Sequence, residues 1–580
     1  MAKLAPPRKT RPSSRRAPNL HEPRGLPLLD FGPWTLDFRL QTIVSGYLSL
    51  ILHAHLPFVR HPEHERFLEE NWLFEAITET YVPLLQLLER WRRDGLQPRL
   101  TLTLTPTLCA MLRDPLLQAR YERHLNELIE LAEKEIHRTR WEKPFHELAL
   151  FYQSRFGAVR DTYAACGRDL VGAFGKFQEL GYLEIITSAA THALLPLLAD
   201  HPPSLRAQVL VARDHYRSCF GCEPRGIWLP ECAYVEGLEK VLQEANLRWF
   251  VTDTHGILHA RPRPRYAAFA PIFTPNGVAA FGRDPDSARQ VWSRHAGYPG
   301  DARYRDFYRD IGFDLDLDYV KPHLPASDQR GFTGIKYYRI TGSSPDKEVY
   351  DRQAGIRAAD GHAGHFLDAR LAQFRRLGEI LDRPPILVAP YDAELFGHWW
   401  YEGPEFLDFF LRKACCDQKV FELITPGEFL RQHPTHQVAT PAASSWGEEG
   451  YWRVWLNEQN EWIYPHLRVA QDRMTELARR FPSGAGVSPA GTEASSPRSL
   501  QERTLKQAAR ELLLAQASDW PFILRTGTSP DYARKRVKEH LLRFTRLYEQ
   551  LTTGQRDEEW LKQVEWRDNL FPDVDCRYWS

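Results

Sequence analysis

Cysteine is scarce: eight residues in a chain of 580, too few for a disulfide scaffold. Cys219 and Cys222 form a C-x-x-C, but no second such pair completes a zinc site, and the adjacent Cys415 and Cys416 are poorly spaced for one. Reduced thiols in a cytoplasmic protein are expected. Net charge is missing as well: 75 Lys+Arg balance 75 Asp+Glu. That excludes the basic excess of a dedicated nucleic-acid binder and of a polybasic membrane-surface protein. No run approaches the ~18 apolar residues of a transmembrane helix. No apolar stretch follows Arg15 and Arg16, so no secretory signal is expected.

What the chain does have is apolar and aromatic content. Hydrophobic residues make up 43% and aromatics 12%, with 17 Trp and 23 Tyr. This is enough for a large core, and Trp and Tyr offer the apolar face and polar edge that suit sugar rings.

Residues 1–40 are rich in Pro and Arg and read as a disordered extension. Residues 482–499 are nearly all Pro, Ser, Gly and Ala and read as a flexible linker. From 45 to 425 short apolar runs alternate with helical patterns. The runs are 46–52, 100–105, 183–187, 226–229, 247–252, 277–281, 386–389 and 421–424. Strands alternating with helices predict a parallel sheet. Just past the run ends stand His53, His55, Thr107, His192, Glu231, Asp253, His255, Arg283, Asp392 and Glu394. Helix caps favour Ser, Thr, Asp and Asn and leave the His and Arg residues unexplained. Ionisable groups after strand ends are the layout of a β/α-barrel active face. From 426 to 580 the pattern is helical and dense in Trp: Trp446, Trp452, Trp455, Trp462 and Trp520.

Glu231 follows one strand run, and Asp392 and Glu394 follow another. Carboxylates on two strand ends can face one bond, as glycoside cleavage requires; in retention one is the nucleophile and the other the acid/base. Taken alone, each carboxylate reads as well as a salt bridge or cap. The Trp399–Trp400 pair, Trp446 and Trp455 are candidates for stacking on sugar. His53, His55, His192, Asp253 and His255 leave a metal site open, and with it a metal-dependent, deacetylase-like barrel hydrolase.

These residues fall in motifs that resemble a known family. HAHLPF (53–58), YLEIITSAATHALL (182–195), WLPECAY (228–234), YDAELFGHWWYEGP (391–404) and SWGEEGYWRVW (445–455) are similar, in this order, to the motifs of glycoside hydrolase family 57. QVWSRHAGYPGD (290–301), YRDIGF (308–313) and LLLAQASDWPFI (512–523) resemble its 1,4-α-glucan branching enzymes. The resemblance spans roughly residues 45–570. It implies an α/β fold, an incomplete (β/α)7 barrel with a C-terminal α-helical domain, so that one of the eight runs falls outside the ring. It further implies retaining chemistry on an α-1,4-glucan, without metal or cofactor. Glu231 would be the nucleophile and Asp392 the acid/base. His53, His192, Arg283, Gly300, Trp446 and Asp519 would bind substrate. Branching, α-amylase and 4-α-glucanotransferase activities all fit this chemistry, with branching the first expectation. No nucleic-acid or membrane partner is implied, and the oligomeric state is left open. Two departures stand out. The 1–40 extension has no counterpart in the family pattern. The segment that carries a mobile Tyr-bearing loop in the branching enzymes is short here: Arg283 follows Glu231 by 52 positions, and Tyr266 is the one Tyr between Tyr234 and Arg283.

Overall fold

The computed structural model describes residues 44–293, 297–325, 329–481 and 499–580. The extension at 1–40 and all of the expected linker but Ser499 lie outside the described residues. Nine strands are found among them: β1 (Gly46–Ala54), β2 (Leu100–Leu104), β3 (Leu183–Ile186), β4 (Gly226–Ile227), β5 (Trp249–Thr252), β6 (Ile272–Phe273), β7 (Ala279–Gly282), β8 (Ile386–Asp392) and β9 (Phe421–Leu423). Parallel ladders join β3-β2-β1-β8 and β4-β5-β7. Single parallel bridges, Thr187 to Ile227 and Arg283 to Val388, stand at the two seams between them. Seven parallel strands therefore follow one another around a ring that two seams leave incomplete. β6 runs antiparallel to β7, outside the ring. The eighth run, 421–424, is the one that falls out: β9 pairs only with Gly46–Leu48 at the base of β1.

Parallel strands covered on both faces are apolar throughout, and all of β1 is buried. Leu48, Leu50 and Leu52 face the helical shell. Tyr47 and Ile51 face the other way, into a cluster with Ile186, Trp249, Val251, Phe281, Ile386 and Val388 that fills the ring. In β2 Leu100, Leu102 and Leu104 join the shell, while buried Thr101 and Thr103 alternate with them. A one-residue slip would exchange the two sets. The interior leaves little room: a Cβ at Gly226 would stand 2.3 Å from the Trp249 ring.

With all ring strands parallel, their C-terminal ends share one face. Helices Ile463–Arg480, Leu500–Ala515, Asp519–Thr526, Pro530–Thr553 and Glu558–Arg567 build the C-terminal region. Before them, residues 426–446 still run along the barrel. Phe429 packs on Tyr47 and Phe281, and the backbone of Ala439, Thr440 and Ser444 bonds to Phe273, Arg261 and Tyr234. None of the described helices is long and apolar enough to cross a membrane. All eight cysteines are free thiols.

Candidate active site

The end of β1 begins the site. His53 and His55, two residues apart, lean to the same side, and their rings stack in one group with His192. His53 Nε2 lies 3.1 Å from His192 Nε2. The His53 ring also stacks on Trp228, 4.6 Å between centroids. Burial, reinforced by neighbouring imidazoles, holds His53 and His192 well below the ordinary histidine pKa. His55 differs. Burial opposes its charge, but the Asp519 carboxylate, 3.0 Å from Nε2, together with Glu394 and Glu231 outweighs this and raises its pKa.

Glu231 sits past β4 on the turn begun by Leu229 and Pro230. Its φ is 62° and that of Cys232 is 51°. His192 is also left-handed, at 54°. Such conformations cost about 1–3 kcal/mol each for residues with a Cβ and persist where surrounding contacts enforce them. At Glu231 the enforcing residue is Trp446. Its backbone N–H donates to the Glu231 carbonyl at 3.0 Å, and its indole Nε1–H donates to Oε2 at 2.7 Å. Burial pushes the Glu231 carboxyl up to about 7, with the Trp446 hydrogen bond and the His55 charge acting in the opposite direction.

Asp392 ends β8 and stands opposite His53 in register. Its carboxyl makes no hydrogen bond to a described residue. Burial, then the charges of Glu394 and Glu231, hold it well above the usual carboxylate range. Glu394 is engaged elsewhere: Oε1 accepts the Tyr81 hydroxyl and the His55 backbone N–H. Tyr81 closes a π-turn, Ile77–Tyr81, an irregularity frequent at functional sites. With its oxygen so occupied, Glu394 is poorly placed to donate a proton to substrate. Glu394→Gln should therefore keep about a hundredfold more turnover than Asp392→Asn, the lower end of what a positioned acid contributes; reducing-sugar assays of the two variants check this.

The helical region reaches into this cluster. Ser518 Oγ is 3.0 Å from His192 Nδ1, and the Ser518 N–H donates to the His192 carbonyl. Asp519 holds His55. Arg283 pairs with Asp253 at 2.8 Å and lies 5.7 Å from the Trp446 ring. His255 bonds Asp253 and the Gly450 carbonyl. The site thus joins Glu231 and Asp392 with His53, His192, Arg283, Trp446 and Asp519. Chemically it offers two buried carboxyls in unlike surroundings: Glu231, pushed up to about 7, accepts the Trp446 indole N–H, while Asp392, held well above the usual carboxylate range, has no hydrogen-bond partner among the described residues; environments that set two carboxyls apart suit them to different roles.

Other expectations are redirected. Gly300 lies in an exposed turn beside Tyr298, whose hydroxyl meets His365 on helix Arg352–Ile380; no contact among the described residues ties it to the carboxylates. Trp400 and Trp455 are each 1% exposed, so they are core and not stacking surface. Tyr266 bonds Asp382, at the entry to β8. It therefore stands at the base of the barrel, opposite the active face, and does not replace the loop Tyr. The candidate metal ligands divide into two groups, His53, His55 and His192 in one stack and Asp253 bonded to His255 beside Arg283; among the described residues the one triad whose ligand atoms converge is Glu511, His540 and Asp568 in the helical region, where Arg543 and Arg536 pair with Asp568. Trp228, Ser518 and Tyr81 belong to the site without standing among the residues that the sequence pattern marks. The first two lie inside quoted motifs, and Tyr81 carries no motif signal.

The family model for glycosyl hydrolase family 57 matches residues 49–347, and that for the 1,4-alpha-glucan branching enzyme C-terminal region matches 466–579. The chain belongs to glycosyl hydrolase family 57. It is 34% identical to the 1,4-alpha-glucan branching enzyme TK1436 of Thermococcus kodakarensis, over 92% of this chain and 78% of that one. Among solved structures, the branching enzyme of Pyrococcus horikoshii aligns with a TM-score of 0.81 at 33% identity, covering 92% of this chain and 97% of that one. The alpha-amylase AmyC of Thermotoga maritima aligns with a TM-score of 0.84 at 44% identity, covering 92% and 99%.

Proposed function

We propose that this protein is a 1,4-α-glucan branching enzyme: a retaining transglycosylase that cleaves an α-1,4 linkage and re-forms it as α-1,6. In this reading a barrel over 45–425 carries the chemistry and a helical region over 426–580 completes the cleft. Glu231 attacks the anomeric carbon and displaces the leaving glucan, while Asp392 delivers its proton to the departing oxygen. Asp392 then takes the proton of an incoming glucan 6-hydroxyl, whose oxygen displaces Glu231 with overall retention. His53, His192 and Arg283 would bind hydroxyls around this bond, with Trp446 and Asp519 holding Glu231 and His55 in place. The observation that carries the reading is the contribution of the C-terminal region, which matches the branching-enzyme model: Ser518 and Asp519 bond two histidines beside Glu231.

Hydrolysis is a second outlet of the same glycosyl-enzyme. It is favoured by the short segment between Glu231 and Arg283, which leaves Tyr266 at the barrel base, and by the likeness to an enzyme described as an amylase. Water and sugar compete for one intermediate, and exclusion of water decides between them. Incubation with amylose, counting new α-1,6 linkages and new reducing ends separately, is expected to yield both products. Transfer creates no net reducing ends, so branches with none would refute the short-segment argument; reducing ends without branches would make the protein an amylase.

A further inference from the structure

We infer that Trp399, Tyr308 and Phe313 form a second carbohydrate site: an exposed aromatic platform that holds a length of α-1,4-glucan outside the catalytic cleft. The inference rests on the α-glucan reading above and adds to it a surface for the polymer.

These three rings are 52%, 75% and 46% exposed. They form one patch. Phe307 stacks on Trp399 at 4.5 Å and contacts Tyr308 at 5.1 Å. Phe332 lies 5.6 Å from Phe307 and 5.3 Å from Phe313. Phe307 and Phe332 are a half-buried underlayer, with the Lys336 ammonium 4.3 and 4.5 Å from their ring centres. The three outer rings are thereby propped toward solvent. Contiguous exposed apolar surface of this kind marks an interaction site.

The platform is also held rigidly, through buried charge. Glu79 in the π-turn pairs with the buried Arg305 at 2.9 Å and accepts from His398 at 3.1 Å. Arg305 leads into the Phe307–Tyr308 segment, and His398 immediately precedes Trp399. Gly397, at φ +123°, lets the Trp399 turn lie directly on the Glu79 carbonyl, where a Cβ would approach to 1.9 Å. Packing of the turn alone does not require a desolvated ion pair, since such pairs are weak sources of stability; fixing two exposed aromatic segments relative to each other is what this pair does.

The occupant follows from chemistry and position. Pyranose rings present C–H faces that stack on aromatic faces, and their hydroxyls need polar edges nearby. The Tyr308 hydroxyl makes no hydrogen bond to a described residue. The platform is continuous with the reaction centre: Trp399 lies seven positions after Asp392, and its N–H donates to the Glu394 carbonyl at 3.1 Å. A polymer bound here runs alongside the strand end that carries Asp392. On this inference a short oligosaccharide fills the cleft alone, whereas amylose and branched glucans engage the cleft and the platform together.

The test compares wild type with Trp399→Ala and Tyr308→Ala on amylose and on a short maltooligosaccharide, together with electrophoretic retardation in gels containing glycogen. Tyr308, the most exposed of the three, guards against misfolding of the Trp399 variant. Both variants should raise the KM for amylose about tenfold, the loss expected for one good aromatic contact, and lose retardation in glycogen, with kcat and short-substrate activity within about twofold of wild type. Wild-type KM and retardation in the variants, or an equal fall on long and short substrates, would overturn the platform while leaving the branching reading intact. A wild-type protein inert on every α-glucan would overturn both. Sedimentation of wild type as a dimer that Tyr308→Ala dissociates would identify the occupant as a second copy of the chain and overturn the carbohydrate assignment.

Discussion

Glu231→Gln should lower turnover on amylose by about 10³-fold or more, because a nucleophile and its acid/base act as a unit and the loss of either removes most of the catalysis. The substitution is close to isosteric. The glutamine carbonyl can still accept the Trp446 indole N–H, and the left-handed turn is equally strained in both forms, so the fold has no reason to change. Burial already opposes ionisation at this position, so replacing the carboxylate by an amide should leave the melting temperature at or above that of wild type. Asp392→Asn should be as severe, since an amide can neither protonate the leaving oxygen nor accept a proton from the acceptor. Both variants should still be retarded by glycogen. The measurement is single-turnover and steady-state kinetics on amylose beside circular dichroism. Substantial activity in Glu231→Gln would remove that residue from the reaction. A dead Glu394→Gln beside an active Asp392→Asn would move the acid role two residues along the chain.

The order of strands and the residues that follow them are legible in the sequence because a parallel barrel places every strand end on one face. Identifying which residues end strands is then nearly the same as identifying the site, and Glu231, Asp392, His53, His192 and Arg283 are found this way. What is not legible is which side of a short element faces outward. Trp399 and Trp400 are neighbours on one turn, yet the first is half exposed and the second is core; only the packing of that turn on Glu79 decides between them. Trp455 carries the same residue type as Trp446 nine positions earlier, but it is buried against Leu194 and Ala233. The run 421–424 has a strand's composition and forms a strand, but β8 already holds the length of β1 and β2 its upper half, leaving β9 only the base. Tyr266 shows the limit of counting positions: the chain between β5 and β7 crosses to the bottom of the barrel before returning. The role of Asp519 was legible only through the family resemblance, since 464 positions separate it from the His55 it bonds.

Trp446→Phe separates the electrostatic part of this site from its packing. Phenylalanine keeps most of the ring surface against Trp228 and Arg283 and removes only the indole N–H donated to Glu231 at 2.7 Å. That hydrogen bond favours the ionised carboxylate, so its loss must raise the Glu231 pKa above about 7. The nucleophile has to be ionised, and the acid limb of kcat/KM reports its pKa in the free enzyme. The limb should therefore move toward higher pH. Hydrogen bonds to charged groups contribute about 1.5–3 kcal/mol, which corresponds to about one to two pH units. On the acid side of the profile, kcat/KM should fall about tenfold to hundredfold, and the two enzymes should converge as pH rises toward the limb set by Asp392. The Asp392 limb itself should hardly move, because burial and the charges of Glu394 and Glu231 set it and Trp446 does not touch it. A uniform loss at all pH values would mean that Trp446 serves by shape alone. An unchanged profile would mean that the indole N–H does not hold the Glu231 carboxylate in solution, and with it would fall the claim that the segment after residue 426 helps set the chemistry of the barrel.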